Sequence, residues 1–257
     1  YRHLLEDLRT LLPHHKKESK LDPGKSGMAA AVNDIAEMRS CNTVVFLECR
    51  KRQDAYLWVG NVGKTRGPSA KFHLTNVHTM DELRLTGNCM KGSRPVLTFD
   101  ESFGRLGHLK LLKELFTDVF GTPRGHPKSK PFVDRVMAFY YADKKVSEMI
   151  CVENSREQRV PDYKIDEPKK QLGQEQNTSL VEIGPRFVLN PIRIFRGSFG
   201  GQTLYVNPDF VSPNDIRAME KKRKGMSYEQ RKQSQKQRKT RHENMVLPED
   251  PLNNVFR

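Results

Sequence analysis

The groups in this chain whose spacing could do chemistry are cations set beside glycine and proline, and that chemistry is the binding of phosphate. Residues 91–95, KGSRP, carry Lys91 and Arg94 into an apolar run, and residues 122–130, TPRGHPKSK, carry Arg124, His126, Lys128 and Lys130. Glycine and proline hold such loops in few conformations, so their cations and backbone N–H groups meet phosphate oxygens at lower ordering cost. Two Gly-Pro pairs, Gly67-Pro68 and Gly184-Pro185, stand near Lys71 and Arg186; the run after the second carries Arg193 and Arg196 and then Gly197, Gly200 and Gly201. Pro185 restricts Gly184 and fixes its own φ, which predicts a turn presenting Arg186 outward with Phe187 and Leu189 toward a core. Solubility alone would also account for each basic loop; their recurrence beside both Gly-Pro turns favours RNA.

Patterns that imitate enzyme sites fail on inspection. Gly24-Lys25-Ser26 and Gly63-Lys64-Thr65 resemble the end of a phosphate-binding P-loop, but the required first glycine falls on Ser19 and on Trp58. Such a loop also needs a strand before it and a helix directly after it. No apolar strand precedes the first, and Pro68 interferes with a helix after the second. The run 96–101, VLTFDE, reads as a buried strand leaving a core rather than a Mg²⁺-holding strand end. Residues 196–205, RGSFGGQTLY, imitate an RNA-binding aromatic motif with Ser198 in the first aromatic position. Its glycines, Gly200 and Gly201 included, are expected to make a bulge or tight turn. His73 and His78 lack partners at metal-ligand spacing. No metal, cofactor or small-molecule substrate is expected.

The elements that must position these groups alternate between helical and strand patterns. Leu4, Leu5, Leu8, Leu11 and Leu12 share one helical face before Pro13, and residues 28–38 form a short Ala-rich helix. Residues 43–49 and 55–59 read as paired strands, and 95–99 as another. Thr79-Met80-Asp81-Glu82 has capping-box form. Residues 106–120 repeat Leu109, Leu112, Leu115, Phe116, Val119 and Phe120 at helical spacing, and Gly121 and Pro123 end the helix. A hairpin is expected over 133–141 and 146–152. Pro191 argues for an edge or bulged strand, and 154–179 reads as a polar, exposed insertion.

With 257 residues, net charge +14 and pI of about 9.7, the chain attracts polyanions, nucleic acid first among them. No apolar run approaches the roughly 18 residues of a membrane span, and no signal peptide is expected. Its four cysteines, without CxxC spacing, read as reduced intracellular thiols. From Ser212 the character changes. Ser212-Pro213 suits a helix start, and residues 217–242 hold eleven Lys or Arg against Glu220 and Glu229. Lys221, Lys222, Arg223, Lys224, Arg231, Lys232, Lys236, Arg238, Lys239 and Arg241 make this a helix polar all round that cannot dock on its own core: either it is a solvated, frayed helix or it orders on a polyanion, and the density of cations with almost no acids favours RNA.

Several strings together resemble the Brix-domain family: HLLEDLRTLLPH at 3–14, GPSAKF at 67–72, LTGNCMKGSRP at 85–95, PFVDRV at 131–136, LVEIGPRFVL at 180–189 and NPDFVSPN at 207–214. The resemblance implies an α/β fold of two similar halves, each like the anticodon-binding domain of a tRNA synthetase. It implies an N-terminal helix and linker at 1–26, a Brix domain at 27–211 with halves 27–103 and 104–211, and a basic helical tail at 212–257. It also implies a non-enzymatic factor of nucleus and nucleolus. Its partners would be large-subunit precursor rRNA, other pre-60S assembly factors, ribosomal proteins and an Ebp-type nucleolar protein. The alternative is a protein-interaction module whose basic tail only localises it.

Overall fold

The computed structural model describes residues 2–18, 21, 27–63, 66–84, 89–142, 146–155 and 179–245. The chain divides into two compact units, Tyr1–Phe210 and Val211–Arg257. The insertion expected at 154–179 lies outside the described residues except at its ends, where 154–155 and 179 belong to strands. Both P-loop imitations fall largely outside them as well.

In the first unit the helices are α1 (Arg2–Leu11), α2 (Met28–Met38), α3 (Met80–Leu83), α4 (Ser102–Arg105) and α5 (Gly107–Phe120). The strands are β1 (Thr43–Arg50), β2 (Asp54–Asn61), β3 (Ser69–His78), β4 (Arg94–Phe99), β5 (Val133–Ala142), β6 (Val146–Ser155), β7 (Ser179–Phe195) and β8 (Thr203–Val206). Among the described residues these strands form one sheet in the order β1-β2-β3-β7-β6-β5-β4, with β8 paired to β7. Only the β4–β5 pair is parallel. The two expected halves therefore interleave: β4, from the first stretch, lies at the far edge beside β5 of the second.

Periodicity explains which faces are buried. Alternate residues of β2 and β3 (Ala55, Leu57, Val59; Ala70, Phe72, Leu74) meet Leu4, Leu8 and Leu11 of α1 and the apolar stripe of α5 in one core. Phe116 anchors it, with ring centroids 5.7 Å from Phe72 and 5.1 Å from Phe139. Full burial of each such ring contributes about 1.5–3 kcal/mol. The opposite sheet face buries Trp58 and Phe199 against Val32 of α2. Asp7 sits among the α1 leucines because its carboxylate accepts the Met80 N–H at 3.0 Å, which ties α1 to the start of α3. Burial raises its pKa, with that hydrogen bond acting against the rise. Thr79 caps α3 as expected, accepting from Glu82 N, whereas the Glu82 side chain pairs with His78.

One expectation about β7 needs correction. Gly184-Pro185 does not separate two strands: β7 runs through it as one 17-residue strand. The pair, a cis peptide, forms an irregularity where the register with β6 shifts between Ile150 and Val152. Of the two alternatives for Pro191 the bulge is the one realised: the register against β3 shifts between Lys71 and Phe72, and β7 is an interior strand. A missing N–H is tolerated at a bulge because the ladder is already interrupted there.

Candidate nucleic-acid interface

The fold brings the two basic loops together. The Lys130 N–H donates to the Gly92 carbonyl at 2.7 Å, and Arg94 N–H donates to the Phe132 carbonyl at 2.8 Å. Gly92, at φ +86, lies so close that a Cβ there would approach Lys128 O to 2.8 Å. Loop 122–130 is further held by its own bonds: the Ser129 N–H and Oγ both donate to the His126 carbonyl, at 2.9 and 2.8 Å. Lys91, Arg124, Lys128 and Lys130 are exposed on this framework, with Arg94 and His126 half-buried.

A third segment joins them, from the linker that follows α1. The His14 ring lies 6.2 Å from His126, edge to face, and its Nε2 is 3.0 Å from the Val119 carbonyl at the end of α5. His15 follows, with Lys16 and Lys17 exposed beside it. Burial lowers the His14 pKa, opposed by the Val119 carbonyl and reinforced by His126 and His15. The signal available in sequence was only the run His14-His15-Lys16-Lys17, with nothing to say which loop it would meet. Beneath this corner Arg135 is fully buried; its Nη2 donates to the carbonyls of Leu11 and Ser93 and its Nη1 to Cys89 Sγ. It thereby joins α1, the 89–93 loop and β5.

The remaining expected contacts are placed differently. Lys71 is only 15% exposed, paired with Glu48 at 3.2 Å and lying over the rings of Tyr56 and Trp58 at 4.7 and 4.6 Å. Glu48 also accepts from Trp58 Nε1 and Arg50 Nε. Burial alone would raise the Glu48 pKa, but these hydrogen bonds and the Lys71 charge hold it below the ordinary range. Arg193 lies exposed opposite Lys71 in the β3–β7 ladder. Arg196, also exposed, leads into the 197–202 loop, where its N–H donates to Gln202. Gly67 packs against the Arg196 carbonyl, Pro68 follows it into β3, and Gly201 adopts φ +89 while Gly200 turns the chain beside Gly197. Phe199 is buried there, its N–H held by Ser69 Oγ at 2.8 Å, so the aromatic of the RNA-motif imitation serves the core. Arg186 forms a two-point pair with Glu182 while Phe187 is fully buried.

The second unit holds α6 (Pro213–Glu243), capped by Ser212 Oγ accepting from Asp215 N at 3.2 Å, with Pro213 in the first turn. All ten cations expected to bind along it, from Lys221 to Arg241, are exposed. Neighbouring like charges on a helix repel by a few tenths of a kcal/mol per pair, so a bound polyanion stabilises such a helix.

A family model described as the Brix domain matches residues 1–193. The Xenopus laevis protein named ribosome biogenesis protein BRX1 homolog is 43% identical over 257 residues, covering 99% of this chain and 69% of that one. The human protein of that name is 43% identical, with 99% and 66% covered. The Saccharomyces cerevisiae protein named ribosome biogenesis protein BRX1 is 45% identical, with 99% and 83% covered. The chain thus spans about two thirds of the length of these vertebrate relatives. A crystal structure titled as a probable ribosomal biogenesis protein from Aeropyrum pernix K1 aligns with a TM-score of 0.42 at 14% identity, over 74% of this chain and 87% of that one. With a family model matched over most of its length and such identities to its relatives, the chain belongs to the Brix-domain family.

Proposed function

We propose that this chain is a non-enzymatic ribosome assembly factor that binds large-subunit precursor rRNA and scaffolds early pre-60S particles in the nucleolus. The observation that carries the reading is the joining of loops 91–95 and 122–130 through the Lys130–Gly92 hydrogen bond, which collects cations from two separate stretches on one ordered surface. The names of the relatives supply the assembly context. Pre-organised cations neutralise phosphates and release counterions, and loop geometry selects the shape of the RNA rather than a short sequence. Holding rRNA elements apart, or in an immature arrangement, needs binding and release and no bond-making step.

The other partners fit the same picture: pre-60S assembly factors, ribosomal proteins and an Ebp-type nucleolar protein. A specific observation favours protein contact as a second role. A cleft of about 960 Å³ runs along β1, lined among others by Leu8, Leu12, Val32, Ile35, Val45 and Leu47. β1 is the sheet's edge, and such an edge offers unpaired backbone groups to a partner.

Binding of the full chain to precursor rRNA fragments, measured against salt, tests the reading. Affinity should fall with a slope of about −0.7 per phosphate contact on single strands, and Lys91→Gln with Lys128→Gln should make that slope shallower by one to two contacts. Salt-independent binding, or a slope unchanged in the double variant, would contradict it.

A further inference from the structure

We infer that Phe132 is a base-stacking residue, set among the joined basic loops to take an unpaired nucleotide of the bound RNA. The inference rests on the RNA-binding reading and adds what the phosphate contacts cannot supply, a preference for unpaired over duplex RNA. Phe132 is 57% exposed and its neighbour Val133 is 58% exposed, the highest values for large apolar side chains among the described residues of β1 to β8 and their loops, Met38 of α2 aside. The aromatics beside Lys71, Arg193 and Arg196 are used internally: Trp58 and Phe199 are about 6% exposed and Tyr56 is 7% exposed, within the α2 face or beneath Lys71, while the exposed Tyr228 sits on the separate helix α6.

The surroundings of Phe132 decide which partner it suits. Its carbonyl accepts the Arg94 N–H, Lys130 lies two residues before it, and the Lys130 N–H is bonded to Gly92 beside Lys91. Val133 lies opposite Arg94 in the parallel β4–β5 ladder. An exposed ring two residues after Lys130, on backbone bonded to that of Arg94, disfavours a basic protein surface and suits a polyanion carrying flat apolar groups. Single-stranded RNA has both: phosphates for the lysines and a base face for the ring. The backbone that carries the ring is held in place. Phe132 stands where two hydrogen-bonded loops meet the first residue of β5, so stacking requires little ordering of the main chain.

Full-chain variants separate ring from charge. Phe132→Ala should weaken binding to unpaired RNA roughly 5- to 150-fold, the range that base–aromatic stacking supplies, with binding to duplex RNA and the salt slope unchanged. Phe132→Tyr should restore affinity, and the melting temperature should stay put in both because the ring is exposed. Lys128→Gln should instead weaken both RNAs and flatten the slope. The chain's single tryptophan, Trp58, is buried, so the emission of Phe132→Trp reports the new site; it should be quenched by unpaired RNA and not by duplex. If Phe132→Ala binds unpaired RNA like the parent while Lys128→Gln does not, the stacking role is wrong and the RNA reading stands. If the parent binds no RNA, the underlying reading falls. If Phe132→Ala loses a protein partner with RNA affinity intact, the exposed ring is a protein contact and the inference is overturned.

Discussion

At the scale of residues, charges in this fold divide into those spent within the domain and those left for a partner. Glu48 belongs to the first kind: it is the shared acceptor for Trp58, Arg50 and Lys71. Glu48→Ala would leave the Lys71 ammonium largely buried without its counter-charge and should cost about 2–3 kcal/mol, a little under the roughly 3–5 of a fully buried pair. Arg50→Ala, on an exposed arm of the same network, should cost less than about 1 kcal/mol. Because the Glu48 pKa is held down in the folded chain, its stabilisation is complete above the unfolded value of about 4.3 and is lost as pH falls through the folded value. Denaturant melts of the parent and of Glu48→Gln across acid pH check this: the parent should lose more stability on acidification than the variant. Arg186 and Phe187 make a second contrast. Phe187→Asp places a charge in the core and should unfold the first unit, at a cost of about 4 kcal/mol or more. Arg186→Ala breaks a half-exposed pair with Glu182 and should cost under about 1 kcal/mol. Since Glu182 shares that charge, Arg186→Ala should also reduce RNA affinity less than Lys128→Gln does. Equal losses of melting temperature in the two neighbours would make Arg186 a structural residue.

At the scale of elements, the two Gly-Pro pairs look alike in sequence and differ in what surrounds them. A Cβ on Gly67 would lie 2.0 Å from the Arg196 carbonyl oxygen, at φ +146, whereas one on Gly184 would meet the movable end of Leu83 at 3.0 Å, at φ +74. Gly67→Ala should therefore be the worse substitution, costing several kcal/mol against about 1–2 for Gly184→Ala, and paired thermal melts would show it. Elements whose own periodicity dictates burial were legible in sequence. Met28–Met38 matches its expected helix end to end, α5 starts within a residue of expectation, and Ser212 caps α6 as its type demands. What was not legible depends on distant partners. Nothing local tells β7 to run through Gly184-Pro185; its pairing with β3 and β6 does. Nothing local tells Lys71 that Glu48, in another strand, will take its charge. The basic loops were visible as cations beside glycine and proline, but their union needed the parallel pairing of β4 with β5, and the His14–Lys17 arm needed α1 to end beside α5.

At the scale of the whole molecule, one unit presents ordered cationic loops and the other a helix whose cations are uniformly exposed. Rigid loops select a shape of RNA, while a long basic helix adds affinity that depends little on sequence. A chain cut before Val211 should keep its preference among RNAs and lose much of its affinity and salt slope; loss of the preference itself would move the recognition to α6. If both units touch large-subunit precursor rRNA during assembly, as proposed, crosslinking in cells, with the attached RNA sequenced and the attached peptides identified, will capture that contact. Large-subunit precursor rRNA should be enriched, with crosslinked peptides from 91–95, 122–132 and α6. Recovery of partner proteins with no crosslinked RNA, or RNA attached only through other surfaces of the chain, would contradict it.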